Sequence, residues 1–140
     1  MTLKELSQLY WLIKEIKMDE ERLRELESSA MSVSAQVITG MPHGPRSNRS
    51  PIEAITAEII DLKTIIAAKQ IQCVHERARL ERYIASIDDS LTRMVFTARF
   101  VEGKTWADVA DAIGGNTEDS VKKVCYRYLN REQEDVCTNS

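Results

Sequence analysis

The sequence predicts an all-α protein. A long N-terminal antiparallel helical hairpin of coiled-coil character occupies residues 1–86. A C-terminal helix-turn-helix domain follows over 87–131, then a flexible tail over 132–140. Three observations carry this reading. Apolar residues recur at steps of three and four through two long segments. The chain has only five Gly, three Pro and 6% aromatic residues, against abundant Leu, Ile, Ala, Glu, Lys and Arg. All three prolines lie in one stretch between the two segments.

The first segment runs from Leu3 to about Val33, with Leu3, Leu6, Leu9, Tyr10, Ile13, Ile16, Leu23, Leu26, Ala30 and Val33 on one helical face. Lys4, Glu5, Lys14, Glu15, Lys17, Asp19, Glu20, Glu21, Arg22, Arg24 and Glu25 solvate the other. The stretch from Thr39 to Pro51 holds no helical period, so the loop falls at about 38–50. Ser50, Pro51 and Glu53 then supply an N-cap, a first-position proline and a first-turn acid for a second helix.

In that helix Ile52, Ile55, Ile59, Leu62, Ile66, Cys73, Leu80, Tyr83 and Ile87 hold one alternating register, broken only by Lys69 and Glu76. At about 1.5 Å per residue such a helix is roughly 50 Å long and needs a partner of similar length. The first helix, folded back, is the simplest one. Tyr10, Trp11 and Ile65 are left as apolar surface for a homodimer.

Asp88 and Asp89 start a third helix through Leu91, Met94, Val95, Ala98, Phe100 and Val101, which Gly103 ends. Thr105, three residues before Asp108, caps a short helix that begins at Trp106 and turns Trp106, Val109, Ala110 and Ile113 inward. Gly114, Gly115 and Asn116 make a tight turn, and Thr117 caps a last helix through Val121, Val124, Cys125, Tyr128 and Leu129. Two short helices about a glycine turn, the second basic on its exposed side, form the arrangement that reads a DNA major groove.

Charge sharpens this. Lys+Arg 19 against Asp+Glu 22 leaves a net charge of -3, which excludes a globally basic, histone-like binder. Yet Lys122, Lys123, Arg127 and Arg131 occur between Ser120 and Arg131 without an acidic residue. Glu118, Asp119, Ser120, Lys122 and Lys123 are placed to reach base edges, and Tyr126 and Arg127 to meet the DNA backbone. Trp106 and Cys125 read as core, because each lies on an apolar stripe.

Other classes are disfavoured. Cys73, Cys125 and Cys137 are odd in number and lack CxxC spacing, so three reduced thiols are expected, with no disulfide framework, metal or cofactor. No apolar run approaches the roughly 18 to 20 residues that span a bilayer, and acidic residues near Met1 argue against a signal peptide, so a cytoplasmic protein without membrane contact is expected. No catalytic triad, paired carboxylates or phosphate-cradling glycine loop points to an enzyme.

The pattern resembles a known family. Ile84, Ile87, Asp88, Leu91, the run Arg99, Phe100, Val101, Glu102, Gly103, Lys104, Thr105, Trp106, and then Val109, Ala110, Ile113, Gly114, Val121, Lys122, Lys123 and Leu129 resemble the promoter-reading C-terminal domain, region four, of bacterial sigma factors. The long helical half followed by this domain is similar to phage-encoded late-gene transcriptional regulators of the ArpU and RinA type. The motif match covers roughly the last third of the chain. The resemblance implies sequence-specific binding to double-stranded DNA upstream of phage late genes, activation, and contact with host RNA polymerase in the bacterial cytoplasm. Thr105, Trp106, Val109, Ala110 and Ile113 match the family's first helix and turn, with Lys104 and Thr105 at its start, and Thr117 through Arg127 match its recognition helix. Two alternatives are a small-terminase-like DNA-packaging component, whose DNA-binding part tends to precede its oligomerisation helices, and a helical adaptor without DNA contact.

Overall fold

The computed structural model describes residues 1–38 and 50–138, with side chains described for 1–35 and 50–138. The proline loop and its Arg46, Arg49 and His43 lie outside these residues. The described chain is all-α, with six α-helices: α1 Leu3–Leu6, α2 Gln8–Ile38, α3 Pro51–Ala85, α4 Ser90–Phe96, α5 Trp106–Ile113 and α6 Glu118–Thr138. A π-helical turn, Thr97–Val101, extends α4.

The helix starts follow local chemistry. Thr2 and Glu5 close a reciprocal capping box on α1. Ser50 Oγ accepts the Glu53 N–H at 3.2 Å and starts α3. Asp89, rather than Asp88, caps α4, accepting the Thr92 N–H at 2.9 Å and the Thr92 hydroxyl at 2.7 Å. These two bonds, the side-chain one foremost, hold the Asp89 carboxyl below the usual carboxylate range. They also satisfy Thr92, a polar residue buried in the core.

Where α3 ends, the Arg93 guanidinium donates to the carbonyls of Ile87 and Asp88 and so braces the turn into α4. The single third helix expected from Leu91 to Val101 is instead α4 plus the π turn, where the Glu102 N–H reaches back five residues to the Thr97 carbonyl at 2.9 Å. Ala98 and Phe100 are both buried there.

Two compact units result, and they differ from the expected division at residue 86. One comprises Met1–Leu12 with Cys73–Ser140, the other Ile13–Gln72. In the first, Leu6 and Leu9 join Leu80, Ile84, Ile87, Val95, Phe96, Phe100, Val109, Val121, Cys125 and Leu129 in one core. Phe96 is its aromatic centre, meeting Phe100 and Tyr128 edge-on at 5.4 and 5.5 Å and lying over Tyr83 at 6.3 Å. Because the core draws in both ends of the first eighty-odd residues, those ends are not part of a separate arm.

The last helix also departs from expectation. Residues 132–138 continue α6 instead of forming a tail, and Glu132 accepts the Tyr83 hydroxyl at 2.6 Å. At the other end, α1 stops at Ser7 and α2 starts at Gln8; Leu12 is buried while Leu3 and Ile13 are exposed. Tyr10, expected on free surface, is half-buried and packs edge-on against Trp11 at 5.1 Å. Trp11 and Ile65 are exposed as expected.

In the second unit Ile16, Leu26 and Ile66 are buried. Lys69, one of the polar interruptions of the α3 stripe, pairs with Asp19 and, at 2.8 Å, with Glu15, while Lys63 lies 3.9 Å from Glu27. The Asp19 bond, followed by that to Glu15, raises the affinity of the Lys69 ammonium for its proton.

Candidate nucleic-acid interface

The candidate surface is built on α5, the turn 114–117 and α6. Thr105 starts α5 by accepting the Asp108 N–H at 3.2 Å. The helix stops at Gly114, which with Gly115 takes φ of 75° and 66°, a left-handed backbone that side-chain-bearing residues enter at a cost of about 1 kcal/mol or more. Asn116 then ties the turn together. Its amide donates to the Gly114 carbonyl at 3.0 Å, and its carbonyl oxygen accepts the Ser120 hydroxyl at 3.1 Å. Thr117 caps α6 by accepting the Ser120 N–H at 3.2 Å.

Val121, Cys125 and Leu129 bury one face of α6, as their spacing predicts. Burial pushes the Cys125 thiol up to about 12, so it is an inert core group. The opposite, exposed face carries Asp119, Lys123, Tyr126, Arg127 and Asn130.

The ten expected contact residues separate by what already holds them. Thr105, Thr117 and Ser120 are engaged in helix caps and the turn. Glu118 forms an ion pair with Lys122 at 3.1 Å, and Lys104 one with Glu102 at 3.0 Å, which reduces the charge these lysines present. Asp119 is exposed beside them. Among the described residues, Lys123, Arg127 and Arg131 are exposed and have no carboxylate within ion-pair distance. Arg127 and Arg131 line a hollow of about 380 Å³ shared with Asp88, Asp89 and Tyr128.

Tyr126 is exposed on this face and also touches α5. Its ring lies 6.2 Å from that of Trp106, joining α6 to the start of α5. Trp106 is half-buried rather than fully in the core, and the Arg99 guanidinium covers one face of its ring at 4.7 Å. Arg99 also donates to the Lys104 carbonyl at 2.9 Å and so fixes the approach to Thr105. Arg99 and Asn116 therefore set the geometry of this surface. Neither stood out as a contact candidate, since their roles depend on partners met through space or through an irregular turn.

No family model, curated protein or solved structure matches the chain. Among the described residues no group of His, Cys, Asp and Glu is placed to hold a metal ion, and no helix is long and apolar enough to cross a membrane.

Proposed function

We propose that the chain is a sequence-specific DNA-binding transcriptional regulator, with α5 and α6 as a helix-turn-helix and α6 as its reading helix. The observation that carries this is the exposed face of α6, where Lys123 and Arg127 stand without carboxylate partners directly after a turn stapled by Asn116. Cations so placed release condensed counterions from a duplex, while the side chains near the helix start reach base edges.

α2 and α3 act as an antiparallel hairpin. The supporting observation is that Lys63 meets Glu27 whereas Lys69, further along α3, meets Asp19 and Glu15, earlier on α2. The resemblance to sigma region four and to phage late-gene regulators supplies the rest of the reading: a cytoplasmic homodimer that activates late genes with host RNA polymerase. Two-fold pairing doubles a half-site that one short helix reads with modest specificity.

Fluorescence anisotropy of the full chain against random and phage late-promoter duplexes across salt tests this, beside Lys123→Ala with Arg127→Ala. Promoter-selective binding that weakens in the variant, with a shallower salt slope, is expected. Absence of binding even at low salt overturns the reading in favour of a protein-docking adaptor.

A further inference from the structure

Where the first residues of the chain meet α5 and α6, Ser7, Tyr10, Trp11, Arg99, Trp106 and Tyr126 line a hollow of about 120 Å³. All six belong to the same compact unit. Four of them supply aromatic walls. Tyr10 and Trp11 stand edge-on with ring centroids 5.1 Å apart, and Trp106 and Tyr126 lie 6.2 Å apart. Arg99 brings the only charge among the described residues of the lining.

The Arg99 guanidinium is half-buried and held from two directions. It covers one face of the Trp106 ring at 4.7 Å, and its Nη1 group donates to the Lys104 carbonyl at 2.9 Å. It stands on the π turn Thr97–Val101, an irregularity of a kind that recurs at functional sites. Among the described residues no carboxylate lies within ion-pair distance of it, and no second acceptor meets its remaining N–H groups. A half-buried cation without a counter-ion carries a desolvation cost that a bound anion offsets.

We propose that this hollow is a ligand site for a small aryl carboxylate, a single aromatic ring bearing one carboxylate group. Size, wall and charge each select that class. A cavity of about 150 Å³ holds one benzene, so this hollow accepts a single six-membered ring and is too small for a fused bicyclic one. Aromatic walls reward a ring through edge-on and offset contacts that an aliphatic chain does not make. They would also attract an organic cation, but Arg99 repels one at this range. A carboxylate is the planar, two-oxygen anion that matches the guanidinium fork and adds the least volume.

The site goes beyond the DNA reading and does not depend on it. Tyr126 nevertheless belongs both to this wall and to the exposed face of α6, so a bound ligand touches a residue of the candidate interface.

Trp11 and Trp106 are the only two tryptophans of the chain, and both line the hollow, so intrinsic fluorescence of the full protein without DNA reads its occupancy directly. Phenylacetate should give a saturable change. Acetate, which lacks the ring, and benzyl alcohol, which lacks the charge, should each bind at least tenfold more weakly. Arg99→Gln should weaken phenylacetate binding at least tenfold. Because Arg99 also supports Trp106, Ser7→Leu provides a second variant: it fills the hollow and keeps Arg99 and every ring. The Ser7 backbone N–H, not its side chain, bonds the Leu3 carbonyl at 3.0 Å, so helical circular dichroism should be unchanged while phenylacetate binding falls at least tenfold. No saturable change in the wild type, an equal response to acetate or benzyl alcohol, or unaltered affinity in either variant overturns the proposal.

Discussion

The Tyr83 hydroxyl donates a 2.6 Å hydrogen bond to the Glu132 carboxylate and thereby ties α3 to the last turns of α6. Burial and this bond to an anion both keep the phenol protonated well beyond its ordinary range. The contact lies where α6 continues past Arg131, and the same Glu132 oxygen accepts the Met1 ammonium at 3.1 Å. It also places one face of Tyr83 over Phe96, so the polar tie and the aromatic core share one side chain.

Tyr83→Phe keeps the ring packing and removes only the hydroxyl. The variant is expected to lose about 1 to 2 kcal/mol of stability, the range for a hydrogen bond to a charged partner. Urea unfolding of Tyr83→Phe, Glu132→Gln and the double variant checks it. Additive losses would show that the two residues do not act through each other.

Lys69 supplies a pH test. Its ammonium holds its proton more tightly when folded, so the stabilisation is complete below the unfolded value of about 10.4 and is lost as pH rises through the higher folded value. Lys69→Met should lower stability by about 1 kcal/mol at neutral pH. The difference between variant and wild type should then shrink above about pH 10.5 in thermal melts, and a constant difference would show that Lys69 contributes only packing.

Glu118 shields Lys122 at the start of α6. If α6 meets DNA, Glu118→Gln should tighten binding to random duplex and steepen the salt slope by about one phosphate contact. Anisotropy titrations at several salt concentrations measure both quantities. An unchanged slope would place Lys122 away from the duplex.

The three thiols should separate by reactivity. Cys137 is exposed, Cys73 half-buried, and Cys125 buried with its thiol at about 12. Iodoacetamide near pH 8 should label Cys137 first, then Cys73, and Cys125 only on the timescale of unfolding. Peptide mass spectrometry over time follows each site.

Much of the architecture is legible in short-range pattern. The 3.6-residue period places α2, α3, α5 and α6, and Ser50, Asp89 and Thr105 mark helix starts through bonds that close within three residues. The buried positions Val121, Cys125 and Leu129 follow from spacing alone. For the candidate surface, residue identity showed where cations cluster but not which are already paired, so Lys122, held by Glu118, was read as a base-edge contact alongside the unpaired Lys123.

What remained hidden depends on contacts between residues far apart in the chain. Leu12 rather than Ile13 is buried, and Ala98 and Phe100 are both buried in the π turn after Phe96. The grouping of Met1–Leu12 with the C-terminal helices, the cover of Arg99 over Trp106 and the grip of Tyr83 on Glu132 are likewise choices among partners. Hydropathy period and capping are properties of a few neighbouring residues, so they can be read along the chain. The choice of partner is settled by packing and electrostatic differences of a few kcal/mol summed over a three-dimensional core, and no local pattern encodes that sum.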